Sequence, residues 1–164
     1  YTVNDIMPKH ITSGLKYLAA VRLRNQGLSQ KKIAEKLDID RSTVSHYLNG
    51  SNLSWNSIEF AKILTQLNNK DFLLVIQNLF QNLDKIRVIA LKKKKKNYNG
   101  IVNDSCIGCG LCVDLCILEA ISLNALTAQI NSFYCCGCHT CEEACPTNSI
   151  KILEEKDDQK RERS

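Results

Sequence analysis

Cys106, Cys109, Cys112 and Cys116 stand at C-x2-C-x2-C-x3-C spacing, and Cys135, Cys138, Cys141 and Cys145 repeat the figure 29 residues later. Eight of the nine cysteines are used in this duplication. Thiolates are soft, negatively charged donors suited to iron–sulfur clusters and to zinc. Zinc favours two separated C-x2-C pairs. Three cysteines two residues apart with a fourth beyond is instead the spacing that holds iron–sulfur clusters. The ninth cysteine, Cys136, adjoins a ligand position. It reads as a small buried side chain, or as a substitute for Cys135 when a cluster rearranges.

The elements that must position these thiolates are short. Gly108, Gly110 and Gly137 let the backbone turn tightly and aim N–H groups at sulfur. Large apolar residues are few from Ile101 onward. A module of about 55 residues buries too little surface to fold unaided and normally needs staples. Metal binding would supply the missing folding free energy.

At 164 residues the chain has room for one full domain or two small ones. Residues 1–100 hold 17 Lys and Arg against 7 Asp and Glu, a net of +10, and no cysteine. Residues 101–164 hold 5 against 10, a net of −5, and all nine cysteines. A basic half joined to an acidic, cysteine-rich half reads as two modules with different partners. Residues 1–11 lack the apolar run of a secretory signal, and no 18-residue apolar run suggests a membrane span. The expectation is a cytoplasmic protein with reduced thiols. The five lysines Lys92–Lys96 cannot be buried together, which places a solvated linker over residues 92–100. Such a linker would add affinity for DNA phosphates without specificity.

In the basic half, Ser29 signals a helix start before Gln30–Leu37, Asp38-Ile39-Asp40 suits a tight turn, and Arg41–Leu48 forms a second helix closed by Asn49-Gly50. Asp40 is the expected N-cap of that second helix. Ile33, Leu37, Ile39, Val44, Tyr47 and Leu48 would face inward, and Ala34 is small enough for close helix contact. This segment, roughly residues 15–50, resembles the DNA-binding helix-turn-helix of the repressor and Cro type. The resemblance implies that Arg41, Ser42, Ser45 and His46 face base edges, with Gln30, Lys31 and Lys32 near phosphates. The family's usual turn Gly is Asp38 here, a residue that tolerates a left-handed backbone.

A further helix is expected over 56–67, burying Ile58, Ala61, Ile63 and Leu64. Beyond it, Phe72, Ile76, Leu79, Leu83, Ile86 and Ala90 form a heptad-like seam, predicting one amphipathic helix over 71–91. That helix suits a homodimer contact, or equally packing onto its own domain.

Residues 101–153 resemble the bacterial two-cluster ferredoxin, a small α+β module with internal two-fold symmetry. The likeness includes Ala120-Ile121 and Ser149-Ile150, which lead into short strands. It implies two [4Fe-4S] clusters, one held by Cys106, Cys109, Cys112 and Cys145, the other by Cys135, Cys138, Cys141 and Cys116. Ile117 stands where the family has Pro, and His139 replaces the Gly found at Gly110. Residues 154–164 read as a charged, disordered tail.

The expected architecture is therefore an all-α helix-turn-helix domain over 1–70, the 71–91 helix, the linker and a ferredoxin-like α+β domain. The combination implies a transcriptional regulator that binds double-stranded DNA and depends on its clusters. The alternative is an electron-transfer protein whose helical half docks a redox partner. Enzyme chemistry lacks parts: there is no phosphate-binding glycine loop, no paired carboxylates, and no nucleophile with a partner base.

Overall fold

Helix α1, Lys9–Asn25, buries Leu15, Ala19, Ala20 and Leu23 along one stripe. It belongs to the first of two units into which the computed structural model divides, the boundary falling between Lys93 and Lys94. The structure describes residues 9–51, 55–94 and 96–155. The N-terminal residues read for a signal segment lie outside it up to residue 8, and so does the charged tail from residue 156.

Helices α2, Gln30–Leu37, and α3, Arg41–Leu48, have the expected bounds. The Lys32 N–H donates to Ser29 Oγ at 3.3 Å, which caps α2. Asp38 closes it in the left-handed region at φ 48°, and the Ile39 N–H reaches back to the Ala34 carbonyl at 3.1 Å. This closure satisfies carbonyls at the helix end, a task usually given to glycine. Lys85 Nζ sits 2.7 Å from the Asp38 carboxylate and holds its pKa below the usual range. Asp40 occupies the N-cap position of α3 but makes no capping bond through its side chain. Ile33, Leu37, Val44 and Tyr47 are buried as expected, while Ile39 and Leu48 are only half-buried.

Helix α4, Trp55–Gln66, presents a different face from the one expected. Ser57 and Ala61 are buried, Ile58 and Leu64 are half-buried, and Ile63 is 56% exposed. The cause is close approach to α1. A methyl on Gly14 would stand 2.1 Å from the Ser57 carbonyl oxygen and 3.0 Å from Ala61 Cβ. Helices meeting at Gly14, Ser57 and Ala61 sacrifice side-chain bulk for backbone proximity, which turns Ile63 outward.

The single helix expected over 71–91 is two. Helix α5 spans Asn69–Leu79 and α6 spans Leu83–Lys93. Phe80 is extended between them, and Asn82 caps α6 by accepting the Lys85 N–H at 3.0 Å. Phe72, Ile76, Phe80, Ile86, Ile89 and Ala90 are buried, and α6 packs on α1, α2 and α5. Most of the apolar seam is therefore covered within its own unit, with Leu79 and Leu83 half-buried.

Among the described residues of the lysine tract, Lys92, Lys93, Lys94 and Lys96 each have a hydrogen-bond partner. Lys92 and Lys93 complete α6, where Lys93 Nζ donates to Asn69 Oδ1 at 2.8 Å and lies 5.2 Å from the centre of the Phe72 ring. Lys94 opens the second unit, donating to the Ser132 carbonyl at 3.2 Å. Long side chains lay their stems on apolar surface while the charge finds a partner.

In the second unit β1, Tyr98–Val102, pairs antiparallel with β4, Ile150–Glu154, with Gly100 opposite Ile152. Strands β2, Ile121–Asn124, and β3, Thr127–Ile130, form a hairpin. Two four-residue helices, α7 at Leu111–Asp114 and α8 at Thr140–Glu143, follow the cysteine loops. The domain thus begins inside the expected linker, and Glu154, assigned to the tail, ends β4. The duplication extends to the backbone. Left-handed residues recur 29 apart at Gly108 and Gly137, Gly110 and His139, and Glu119 and Asn148.

Candidate metal centres and nucleic-acid interface

Strand pairing sets where the members of each four-cysteine figure lie. The first three cysteines of a figure follow one strand, and its fourth precedes another. Strand β4, entered after Cys145, pairs with β1, which leads to Cys106. Strand β2, entered after Cys116, pairs with β3, which leads to Cys135. Each fourth cysteine is thereby carried to the other figure's first three.

The side chains agree. Cys106, Cys109, Cys112 and Cys145 line one pocket. Burial pushes the Cys141 thiol up to about 12, helped by charge on Cys138, Cys135 and Cys116. Burial likewise raises Cys135 and Cys116, each also feeling charge on Cys138. The second set of four is thus mutually close. Among the described residues no three such side chains converge to hold a single ion.

Hydrogen bonds prepare the sulfurs for negative charge. The Ala120 N–H points at Cys116 Sγ at 3.2 Å, and at the equivalent place the Ser149 N–H points at Cys145 Sγ at 3.4 Å. Ser149 Oγ and Thr147 Oγ1 add contacts to Cys145 Sγ at 3.2 and 3.6 Å. With Ser149 as the largest cause, these hold the Cys145 thiol down at about 6. The Cys136 S–H does the same for Cys138, holding it at about 5, with Thr140 assisting. Cys136 itself is buried and is pushed far up, chiefly by that bond to Cys138. Sequence reading missed Thr147 and Ser149. Their signal was the contrast with Leu118 and Ala120, 29 residues earlier.

Two glycines are required by space as well as by backbone angle. A methyl on Gly108 would stand 2.4 Å from the Leu126 carbonyl oxygen, and one on Gly137 would stand 2.4 Å from the Tyr98 ring. Gly110 has only Leu123 Cδ1 at 3.9 Å, so its counterpart can be His139 despite φ 60°. His139 Nδ1 lies 2.8 Å from Glu142 Oε2, which also accepts the Ile152 N–H at 3.1 Å. That contact ties α8 to β4. Ile117 replaces Pro without altering the turn: the Glu119 N–H bonds the Cys116 carbonyl, as the Asn148 N–H bonds that of Cys145.

In the first unit Arg41, Ser42 and His46 are exposed along α3. Ser45 is half-buried and lies 3.5 Å from the Asn49 amide nitrogen. Lys31 and Lys32 are exposed at the start of α2, and Gln30 is half-buried. The face is polar and basic, on a helix anchored by Val44 and Tyr47. Among the described residues no helix is long and apolar enough to cross a membrane.

Comparison with known proteins agrees with both halves. A helix-turn-helix family model matches residues 18–67. A 4Fe-4S binding domain model matches twice, over residues 100–122 and 128–151, and the chain accordingly carries two [4Fe-4S] clusters. No solved structure gives a significant match. The ferredoxin-type protein FwdE of Methanocaldococcus jannaschii is 36% identical over 154 residues, spanning 92% of this chain and 100% of its own length. A helix-turn-helix followed by a two-cluster ferredoxin domain, matched over nearly its whole length, places this chain in the family of ferredoxin-type protein FwdE.

Proposed function

We propose that this protein is a cytoplasmic, non-catalytic transcriptional regulator whose affinity for double-stranded DNA depends on its two clusters. The observation that carries the reading is the exposed Arg41-Ser42-His46 face of α3, on the same chain as the cluster domain. Arg41, Ser42, Ser45 and His46 read bases in the major groove, while Gln30, Lys31 and Lys32 contact phosphates. Cys106, Cys109, Cys112 and Cys145 hold one cluster, and Cys116, Cys135, Cys138 and Cys141 hold the other. The shared pocket and the mutual charge effects support this division.

The protein acts as a homodimer on two half-sites. With most of the 71–91 seam buried inside its own unit, the dimer uses another surface. Trp55, Phe60 and Ile63, exposed on α4, support that placement. The signal is cluster assembly or loss in response to oxidants or iron supply. One added electron roughly 20 Å from DNA changes binding by only about 0.2 kcal/mol in water, before salt screening. Loss of a cluster removes a folded module.

A second reading, an electron carrier whose helical half docks a redox partner protein, is favoured by the relative's name, a ferredoxin-type protein. Selection from random DNA with anaerobically prepared protein separates the two. The regulator reading expects enrichment of a defined sequence whose binding weakens steeply with salt. Recovery of unenriched DNA with a shallow salt response would instead establish the carrier.

A further inference from the structure

The two halves of the ferredoxin domain agree in backbone and differ in polarity at the sulfurs. Position by position, 29 residues apart, Ile107, Leu111, Leu118 and Ala120 of the first half become Cys136, Thr140, Thr147 and Ser149 in the second. All four replacements add a hydrogen-bond donor, and all four fall beside a ligand cysteine. Ser149 and Thr147 meet Cys145 Sγ at 3.2 and 3.6 Å, and Cys136 and Thr140 meet Cys138. In the first half Cys116 Sγ receives the backbone N–H of Ala120, and positions 118 and 120 have no hydroxyl to offer.

Ser149 is the sharpest case. It is only 2% exposed, and its hydroxyl lies 3.2 Å from Cys145 Sγ. A buried hydroxyl without a partner is costly, so this one is held by sulfur. A thiolate bound to iron carries no proton, so the hydroxyl must be the donor.

We propose that Ser149 and Thr147 are tuning residues that raise the reduction potential of the cluster held through Cys145, a device absent from the equivalent ligand Cys116. The proposal rests on the assignment of Cys145 to the cluster of Cys106, Cys109 and Cys112. Reduction adds one electron, delivered by a low-potential one-electron donor, and places more negative charge on the ligand sulfurs. Hydroxyls that donate to such a sulfur stabilise the reduced state more than the oxidised one. The oxidised cluster is regenerated when that electron passes to a one-electron acceptor.

The test is an anaerobic redox titration of the loaded full-length chain with dithionite as donor, followed by electron paramagnetic resonance. Ser149→Ala is expected to make one of the two clusters about tenfold harder to reduce, about 59 mV for one electron, and to leave the other in place. Thr147→Val shifts the same cluster in the same direction by less. Ala120→Ser, which supplies the missing hydroxyl beside Cys116, shifts the other cluster upward. An iron count of about eight per chain in each variant shows that both clusters are loaded, so a failure of assembly is not mistaken for a change in potential. Unchanged potentials in fully loaded Ser149→Ala, or equal shifts of both clusters, would overturn the proposal. Fully loaded Cys145→Ser that perturbs the cluster of Cys135, Cys138 and Cys141 would overturn the assignment beneath it instead.

Discussion

Anaerobic removal of iron is expected to unfold the strands and loops of residues 98–155 while the helices of residues 9–93 persist. The core of the second unit is small: Leu118, Ala120, Ile121, Ala128, Ile150 and Ile152, with Cys112, Cys136 and Cys141 themselves among the buried residues. Larger side chains that might have enlarged it, Leu115, Leu126 and Phe133, are exposed. Its sheets have two strands each, and a two-stranded hairpin is marginal alone in water. In the folded unit desolvation is the chief cause that raises the thiols of Cys112, Cys116, Cys135 and Cys141, so metal must displace their protons as the fold forms. Binding and folding are thus one event. The first unit has no such dependence, since its core of Leu15, Ile33, Leu37, Val44, Phe72 and Ile76 is apolar and buried without any cysteine. Amide exchange monitors both units at once. Protection in β1 and β4 should vanish on chelation while protection in α1, α2 and α5 remains; retained protection in β4 after complete iron loss would contradict this.

Arg41→Ala is expected to weaken binding to the selected DNA sequence by about 1–3 kcal/mol, and to relax preference at one base position. Arg41 is exposed at the first turn of α3 and contributes nothing to the buried set of Val44 and Tyr47, so folding should be unchanged. Lys31→Ala should behave differently. A phosphate contact carries no sequence information, so its loss weakens binding evenly across sequences and lowers the salt slope by about 1. Equal effects of both substitutions on all sequences, measured by titration at several salt concentrations, would remove α3 from base recognition.

The parts of this protein legible in its sequence are those whose physics is local. Cysteine spacing, the Ser29 cap and the left-handed Asp38 each need only a few neighbouring residues, and each is present as read. The second unit's strands after Ala120 and Ser149 were legible because the repeat showed them twice. The parts misread depend on distant neighbours. The heptad-like spacing through 71–91 was compatible with a straight helix until Asn82 is recognised as a cap, and packing against α1 and α2 rewards the break. The α4 face was misjudged because Gly14, some forty residues earlier, sets the approach that buries Ser57 and exposes Ile63. Five consecutive lysines suggested only repulsion, yet Asn69, Phe72 and Ser132 receive two of them. At the cysteine repeats, spacing pointed to thiolate ligands but not to the hydroxyls of Thr147 and Ser149, which become visible only when the repeat is aligned on itself.

The most direct test is the affinity of one selected DNA sequence for three anaerobic forms of the same preparation: iron-loaded, dithionite-reduced and iron-depleted. Dependence on cluster occupancy predicts that the loaded and reduced forms bind within a few-fold of each other, while the depleted form differs by a factor of ten or more, about 1.4 kcal/mol. Equal binding by all three forms would contradict it.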